Sequence, residues 1–333
     1  MQAYIIEQFG DPDVFQAREL PQPEVNLGQV LIRVMATSVN PVDCKIRSGK
    51  APQIAPDFPA VLHGDVAGVI EAVGTDVTEF QPGDEVYGCA GGVKGYGGAL
   101  AEFMVADVSL IARKPKSLNW QQAAALPLVS ITAWEGLIDR AKVRPQQKVL
   151  VYGGTGGVGH LGVQLAKWAG ATVYATVSDA EKAQLANQLG ADYVINYRQQ
   201  SVEAYIDEYT NGKGFDVVFD TVGNDHLSSA FQAAALNGTV VSTVARSSPD
   251  LSLLHAKGLT LHLVFMLIPM LHKLGKEHHG EILTQLVKAV DEGQVKPLVD
   301  RHTFTLAEVA AAHRLLESGK AIGKVTLTVN NEQ

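Results

Sequence analysis

Apolar and polar positions change rhythm twice along this chain. Through roughly the first 120 residues the apolar runs are short and strand-like. Residues 3–6 and 30–36 alternate or run apolar around Pro21, Pro23 and Gly28, and residues 66–73 run apolar up to Gly74 and Asp76. Gln81-Pro82-Gly83-Asp84 is a turn signal that delivers the chain into another strand at 85–88. This spacing predicts a β-rich domain of partial-barrel type, built from strands and turns rather than helices. Residues 91–98 (GGVKGYGG) hold five glycines in eight positions, which suits either a mobile flap or a long hairpin connection.

From Trp120 the rhythm becomes mixed. Residues 121–141 read as a helix interrupted near Pro127. Apolar, strand-like runs then recur at 149–152, 172–177, 192–196, 215–220, 238–244 and 259–265. Helical periods lie between them at 161–168, at 180–189 and up to about 236. Alternation at this spacing predicts a doubly wound parallel sheet. The tail changes again, to amphipathic helices at 282–292 and 306–318 and a last strand at 324–329. The expected organisation is therefore α/β with an insertion. Residues 1–123 and 268–333 form the β-rich domain, and residues 124–267 form the parallel-sheet domain.

The densest chemical signal lies at 148–167, KVLVYGGTGGVGHLGVQLAK. A buried strand, Val149-Leu150-Val151-Tyr152, runs straight into Gly154-x-Gly156-x-x-Gly159 and then into a helix, the order that a dinucleotide fingerprint requires. In that pattern the first glycine permits the tight turn, the second admits a pyrophosphate and the third lets helix and strand pack closely. The helix N-terminus adds free N–H groups and a partial positive charge. The next strand ends Thr176-Val177-Ser178, with Lys182 four residues beyond Ser178 and no carboxylate at the strand end, although Asp179 and Glu181 follow closely. A hydroxyl and a lysine suit the 2′-phosphate of NADPH better than the 2′-hydroxyl of NADH. The alternative is that Ser178 caps the helix and Lys182 is a solvated charge.

Composition narrows the function. A chain of 333 residues, 46% hydrophobic and 19% charged, has length and apolar content for two cored domains. A net charge of −8 opposes binding nucleic acid through a basic surface. Two cysteines, Cys44 and Cys89, give no disulfide framework, and with no signal-peptide pattern at the N-terminus a cytoplasmic protein is expected. The longest apolar stretch, 259–271, is too short to span a bilayer and contains His262 and Pro269.

Several further segments stand out: Asn40-Pro41-Val42-Asp43 with Ile46-Arg47-Ser48-Gly49, Gly64-Asp65-Val66-Ala67-Gly68-Val69-Ile70, and Gly83-Asp84-Glu85-Val86. Gly156-Gly157-Val158-Gly159 with Gln164 and Lys167, and Gly323-Lys324, complete the set. Together they resemble the medium-chain dehydrogenase/reductase superfamily, and within it the zinc-independent quinone oxidoreductase and ζ-crystallin group. Thr155 departs from the group's usual Ala or Ser. The resemblance covers nearly the whole chain and implies a GroES-like substrate domain plus a Rossmann domain that binds NADPH. It implies that Thr155, Gly156, Gly157 and Val158 hold the pyrophosphate, and that Ser178, Lys182 and Tyr197 surround the 2′-phosphate. Thr243, Ala245 and Arg246, with Val264, Phe265 and Met266, would line the nicotinamide half. Asn40, Lys45 and Thr132 would approach nicotinamide and substrate from the other domain.

Alcohol dehydrogenases of the superfamily hold zinc through a Cys, a His and a third ligand. Here Asn40 stands at the position of the first Cys and Gly64 at that of the His, and two cysteines cannot make a four-cysteine lobe, so no metal site is expected. Without a metal, the accessible chemistry is hydride transfer to an acceptor already electrophilic, a quinone or an α,β-unsaturated carbonyl. Candidate donors to the developing oxyanion or enolate are Asn40, Lys45, Arg47 and Tyr96, or solvent as the proton source. Related enoyl-thioester reductases place a tyrosine acid where this chain has Ala51, which argues against an enoyl-thioester substrate. A zinc alcohol dehydrogenase and a non-catalytic NADPH-binding sensor remain the alternatives. The resemblance also implies a homodimer through the edge strand of the Rossmann sheet.

Overall fold

The strand-like runs of the N-terminal region become eight strands and one helix. They are β1 (Gln2–Ile6), β2 (Gln16–Glu19), β3 (Gln29–Val39), α1 (Pro41–Arg47), β4 (Ala60–Val61), β5 (Asp65–Val73), β6 (Glu85–Cys89), β7 (Phe103–Asp107) and β8 (Ile111–Arg113). The helix expected at 121–141 is three pieces: α2 (Trp120–Ala124), α3 (Pro127–Trp134) and a π-helical turn, Glu135–Arg140. Pro127 supplies no N–H to a preceding turn, so the helix restarts there.

The parallel-sheet region follows as β9 (Lys148–Tyr152), α4 (Gly159–Trp168), β10 (Thr172–Val177), α5 (Ala180–Gln188), β11 (Tyr193–Asn196) and α6 (Val202–Thr210). It continues with β12 (Phe215–Asp220), α7 (His226–Ala233), β13 (Ala234–Ser242), α8 (Ser252–Ala256) and β14 (Thr260–Leu263). The tail is α9 (Ile268–His272), α10 (Glu277–Asp291), β15 (Phe304–Thr305), α11 (Val309–Glu317) and β16 (Val325–Thr328).

This computed structural model describes residues 1–244 and 246–330, in two units. The first holds Met1–Leu128, Leu267–Gly293 and Pro297–Gln333, and the second Val129–Met266 with Gln294–Lys296. Within the first unit one sheet runs β15-β16-β3-β5-β6-β8, with β7 also paired to β3, and a smaller sheet runs β2-β1-β4. β16 lies antiparallel to β3, Val325 opposite Val39. Register shifts near Leu31/Ile32 and Val34/Ala36 mark bulges between β3 and β5, which bend a long strand that is buried over most of its length.

The glycine-rich stretch is the β6–β7 connection, and it is stitched down. Lys94 N donates to Ile54 O at 2.8 Å and Gly98 N to Val61 O at 3.0 Å. A Cβ on Gly91 would lie 2.0 Å from Gly97 O, and one on Gly98 2.0 Å from Leu62 O. The glycines serve close backbone packing there.

In the second unit the six strands are parallel in the order β11-β10-β9-β12-β13-β14. The order reverses between β9 and β12, the crevice where doubly wound sheets take ligands at the carboxyl ends of their strands. Leu150, Tyr174, Phe215, Val218, Phe231 and Val240 are buried in one cluster on this sheet. Among the described residues no helix is long and apolar enough to cross a membrane.

Candidate functional site

β9 ends at Tyr152 and the chain turns at Gly153, whose φ of 67° lies in the left-handed region that glycine enters freely. The tight turn expected of Gly154 thus falls one residue earlier. Gly153 N donates to Thr176 Oγ1 and Gly154 N to Thr176 O, both at 3.0 Å, which hangs the turn on β10. Gly154 instead serves close packing, since a Cβ there would meet Ala175 Cβ at 2.7 Å. Gly159 lies tighter still, its Cβ position 2.0 Å from Gly153 O. At Gly156 a Cβ would have only Gly153 O, at 3.2 Å, within 4 Å, so that face is open. α4 then starts with Val158 at its N-cap and no side-chain cap. In its first turn His160 N donates to Gly156 O at 3.0 Å and Leu161 N to Val158 O at 3.1 Å, so the cradle that fits a pyrophosphate is the open glycine loop at the positive end of the helix. Thr155 is buried there, and Gly156, Gly157 and Val158 are half-buried.

At the end of β10 a second pocket forms, a cleft of about 460 Å³ lined by Val177, Ser178, Asp179, Ala183, Val194 and Asn196 among others. Asp179, not Ser178, is the N-cap of α5, its Oδ1 accepting Lys182 N at 2.9 Å. Ser178 Oγ donates to Asp179 Oδ2 at 2.7 Å and receives Lys182 Nζ at 3.1 Å. The helix amide and the Ser178 hydroxyl, with the Lys182 and Arg198 charges behind them, hold the Asp179 carboxyl below its usual range. Tyr197 follows β11, half exposed, with its backbone N donating to Val177 O at 3.2 Å, beside the same strand end.

Beside the reversal point stands Asp220, a residue the sequence offered only as a strand end. It is fully buried at the end of β12. Its Oδ1 accepts Val222 N at 3.0 Å and Gly223 N at 2.8 Å, and its Oδ2 accepts Ser242 Oγ at 2.9 Å. One carboxylate therefore fixes the turn after β12 and the end of β13. Thr243 N donates to Asp220 O at 3.1 Å, and Val264 N to Ser242 O at 3.0 Å, so the ladder continues just past the strand ends. Val264 and Met266 are buried, Phe265 is 45% exposed, and Arg246 is exposed. Ala245 lies outside the described residues. Thr132 also belongs to this unit, buried on α3.

Asn40 and Lys45 belong to the first unit, where the structure gives them unequal positions. Lys45 is half-buried on α1. Asn40 is 0% exposed. Its N–H donates to Asp43 Oδ2 at 2.7 Å, its Nδ2 donates to Asp65 Oδ2 at 2.8 Å, and its Oδ1 accepts Lys324 Nζ. Asp65 is equally buried and also takes Ser38 Oγ at 2.6 Å and Leu128 N at 2.8 Å, with Lys324 Nζ 3.4 Å away. Asn40 thus positions other groups instead of facing a substrate. Asp43, buried beside this cluster, has its carboxyl pushed up to about 7, by burial first and with Asp65 adding repulsion. Arg47 has no exposure to offer a substrate either, since it binds Gly10 O at 3.0 Å and Glu317.

A second polar column was not legible in the sequence. Cys44 Sγ lies 3.3 Å from His313 Nδ1, His313 Nε2 lies 2.9 Å from His63 Nε2, and His63 Nδ1 lies 3.3 Å from Thr37 Oγ1. Thr37 Oγ1 donates to Asp65 O at 2.6 Å, so it accepts from His63 Nδ1. That assignment makes His63 Nε2 an acceptor, His313 Nε2 its donor and the Cys44 thiol the donor to His313 Nδ1. Burial holds both imidazoles below their ordinary range, His313 down to about 3, and raises the Cys44 thiol to about 12, so all three are neutral. Among the described residues no group of three or more His, Cys, Asp or Glu side chains is placed to hold a metal ion.

Comparison with known proteins agrees with this layout. Residues 26–116 match the alcohol dehydrogenase GroES-like domain, and residues 189–327 match the zinc-binding dehydrogenase family. An NADPH-dependent alkenal/one oxidoreductase of chloroplasts from Arabidopsis thaliana is 35% identical over 98% of this chain and 79% of its own. The crystal structure of an alcohol dehydrogenase superfamily protein from Novosphingobium aromaticivorans superposes with a TM-score of 0.94 at 39% identity, covering 99% of this chain and 100% of that one. The Escherichia coli quinone oxidoreductase complexed with NADPH superposes with a TM-score of 0.88 at 28% identity, over 98% of this chain and 100% of that one.

Proposed function

This chain belongs to the medium-chain dehydrogenase/reductase superfamily, and from that premise we propose that it is an NADPH-dependent reductase of quinones or α,β-unsaturated carbonyls that works without zinc. The observation that carries the reading is the hydroxyl and cation, Ser178 and Lys182, after β10, and the open glycine cradle after the neighbouring β9. Similar proteins include an NADPH-dependent alkenal/one oxidoreductase and a quinone oxidoreductase complexed with NADPH. Bound NADPH supplies the hydride, and acceptors of this class take it without a Lewis acid because their carbonyl delocalises the charge. Zinc is opposed by residue identity, Asn40 and Gly64 standing where thiolate and imidazole ligands would be needed.

The protein's part is binding and placement. Thr155, Gly156, Gly157 and Val158 cradle the pyrophosphate. Ser178, Lys182 and Tyr197 take the 2′-phosphate. Thr243, Ala245, Arg246, Val264, Phe265 and Met266 line the nicotinamide half. Lys45 and Thr132 serve the substrate end, and Asn40 holds the base of α1 in place beneath. Cytoplasmic residence fits the two buried free thiols, Cys44 and Cys89.

The test is tryptophan quenching titrated with NADPH and NADH, followed by turnover of 1,2-naphthoquinone and a small enone. Lys182→Ala is expected to weaken NADPH about tenfold or more, the cost of one charge-assisted phosphate contact, and to leave NADH nearly unchanged. Turnover is expected to survive a chelator. Chelator-sensitive alcohol oxidation would overturn the reading, and so would equal losses for both dinucleotides.

The same reading includes a homodimer formed through β14, which ends the parallel sheet. Its neighbourhood exposes Leu263 at 50% and Phe265 at 45%, apolar side chains on an open strand edge. Sedimentation should give a dimer for the native chain and a monomer for Leu263→Glu. A native monomer at micromolar concentration would sink this part alone.

A further inference from the structure

At the end of β10 the groups assigned to the 2′-phosphate stand beside a side chain of the wrong sign. Asp179 lies within the cleft lining, between Ser178 and the first turn of α5. Its carboxylate cannot turn away without uncapping that helix, because Oδ1 accepts Lys182 N at 2.9 Å. Its Oδ2 takes the Ser178 hydroxyl at 2.7 Å and stands 3.8 Å from Lys182 Nζ. A phosphate dianion entering here must share Ser178 and Lys182 with a fixed negative charge. A ribose 2′-hydroxyl needs only an acceptor, which Oδ2 already offers.

We propose that Asp179 makes this a dual-cofactor site, its carboxylate accepting the 2′-hydroxyl of NADH and loosening the grip on the 2′-phosphate of NADPH. The inference rests on the NADPH reading above and refines it. Lys182 and Ser178 alone would favour NADPH strongly. With Asp179 among them, the preference becomes small and is set by the balance of one cation against one anion. The residue is a specificity determinant and takes no part in the hydride step.

The decisive measurement is the dissociation constant of NADPH and of NADH, by tryptophan quenching, for the native chain and for Asp179→Asn and Asp179→Ser. Asn and Ser both cap helices well, so α5 is preserved. The native chain should prefer NADPH by less than about tenfold, and removing the charge should tighten NADPH by roughly tenfold, the effect of a like charge at contact distance from a dianion. Both variants should weaken NADH several-fold, because neither offers the 2′-hydroxyl a charged acceptor beside the cap. A native chain that binds NADPH, with a ratio that neither variant moves, overturns this inference and spares the NADPH reading. A native chain that binds neither dinucleotide overturns both.

Discussion

Replacing Lys324 by methionine should lower the unfolding free energy by about 3–5 kcal/mol, the cost of leaving a buried carboxylate without its cation. Lys324 is 3% exposed and Asp65 0%, so neither has water to turn to. Asp65 would keep Ser38, Asn40 and Leu128 as donors but lose its positive charge. The Asn40 Oδ1 acceptor would also lose its cation. Urea denaturation followed by tryptophan fluorescence reads the loss. The double variant Asp65→Asn with Lys324→Met should cost less than the two single losses combined, because it leaves no unpaired charge. A loss under about 1 kcal/mol in Lys324→Met would mean the pair is dispensable, as exposed pairs are.

The second large effect belongs to Gly159. An alanine there would place its Cβ 2.0 Å from Gly153 O and 2.8 Å from Gly153 C, both backbone atoms that cannot swing aside. Either the turn at Gly153 opens or the start of α4 moves, and both ends of the pyrophosphate cradle lie on those elements. NADPH affinity should fall by about a hundredfold, the scale of an ångström of misplacement at a pre-organised site. Gly156→Ala is the matched comparison. Its Cβ would touch only Gly153 O, at 3.2 Å, so the fold survives and a loss of affinity there reports the nearness of the ligand itself. Gly159→Ala that binds NADPH within about threefold of the native chain would remove the cradle from the argument.

Local chemistry was legible where one stretch of chain supplies all of it. The second and fourth strands of the parallel sheet fall at Thr172–Val177 and Phe215–Asp220, as their apolar runs predict, because both are buried over most of their length. The one-residue shift of the turn from Gly154 to Gly153 shows the limit: the fingerprint gives spacing, whereas φ depends on how Thr176 receives the loop. α1 was missed although Asn40, Pro41 and Asp43 are sound start signals, since seven residues give too little period to read. α6 was missed behind Ser201, which caps it by accepting Ala204 N.

What sequence could not supply is non-local pairing. Nothing near Asn40 says that its amide will be consumed by Asp65 and by a lysine 284 residues away. Nor does His63 announce His313, 250 residues later, or Asp220 its grip on two neighbouring turns. The cap on α5 was a near miss of one residue, and that residue sets a carboxylate beside Ser178 and Lys182.

The position of β16 has a consequence for the order in which the two units are completed. A growing chain contains every strand of the parallel sheet once residue 263 has been added, so that sheet can close early. The other sheet is different, because β3 needs β16 as its neighbour and the two are separated by most of the sequence. Asp65 is made early and must wait for the cation it will be buried against. A chain that stops before residue 324 has its nucleotide-sheet strands intact and a carboxylate in the first unit with no charge to meet.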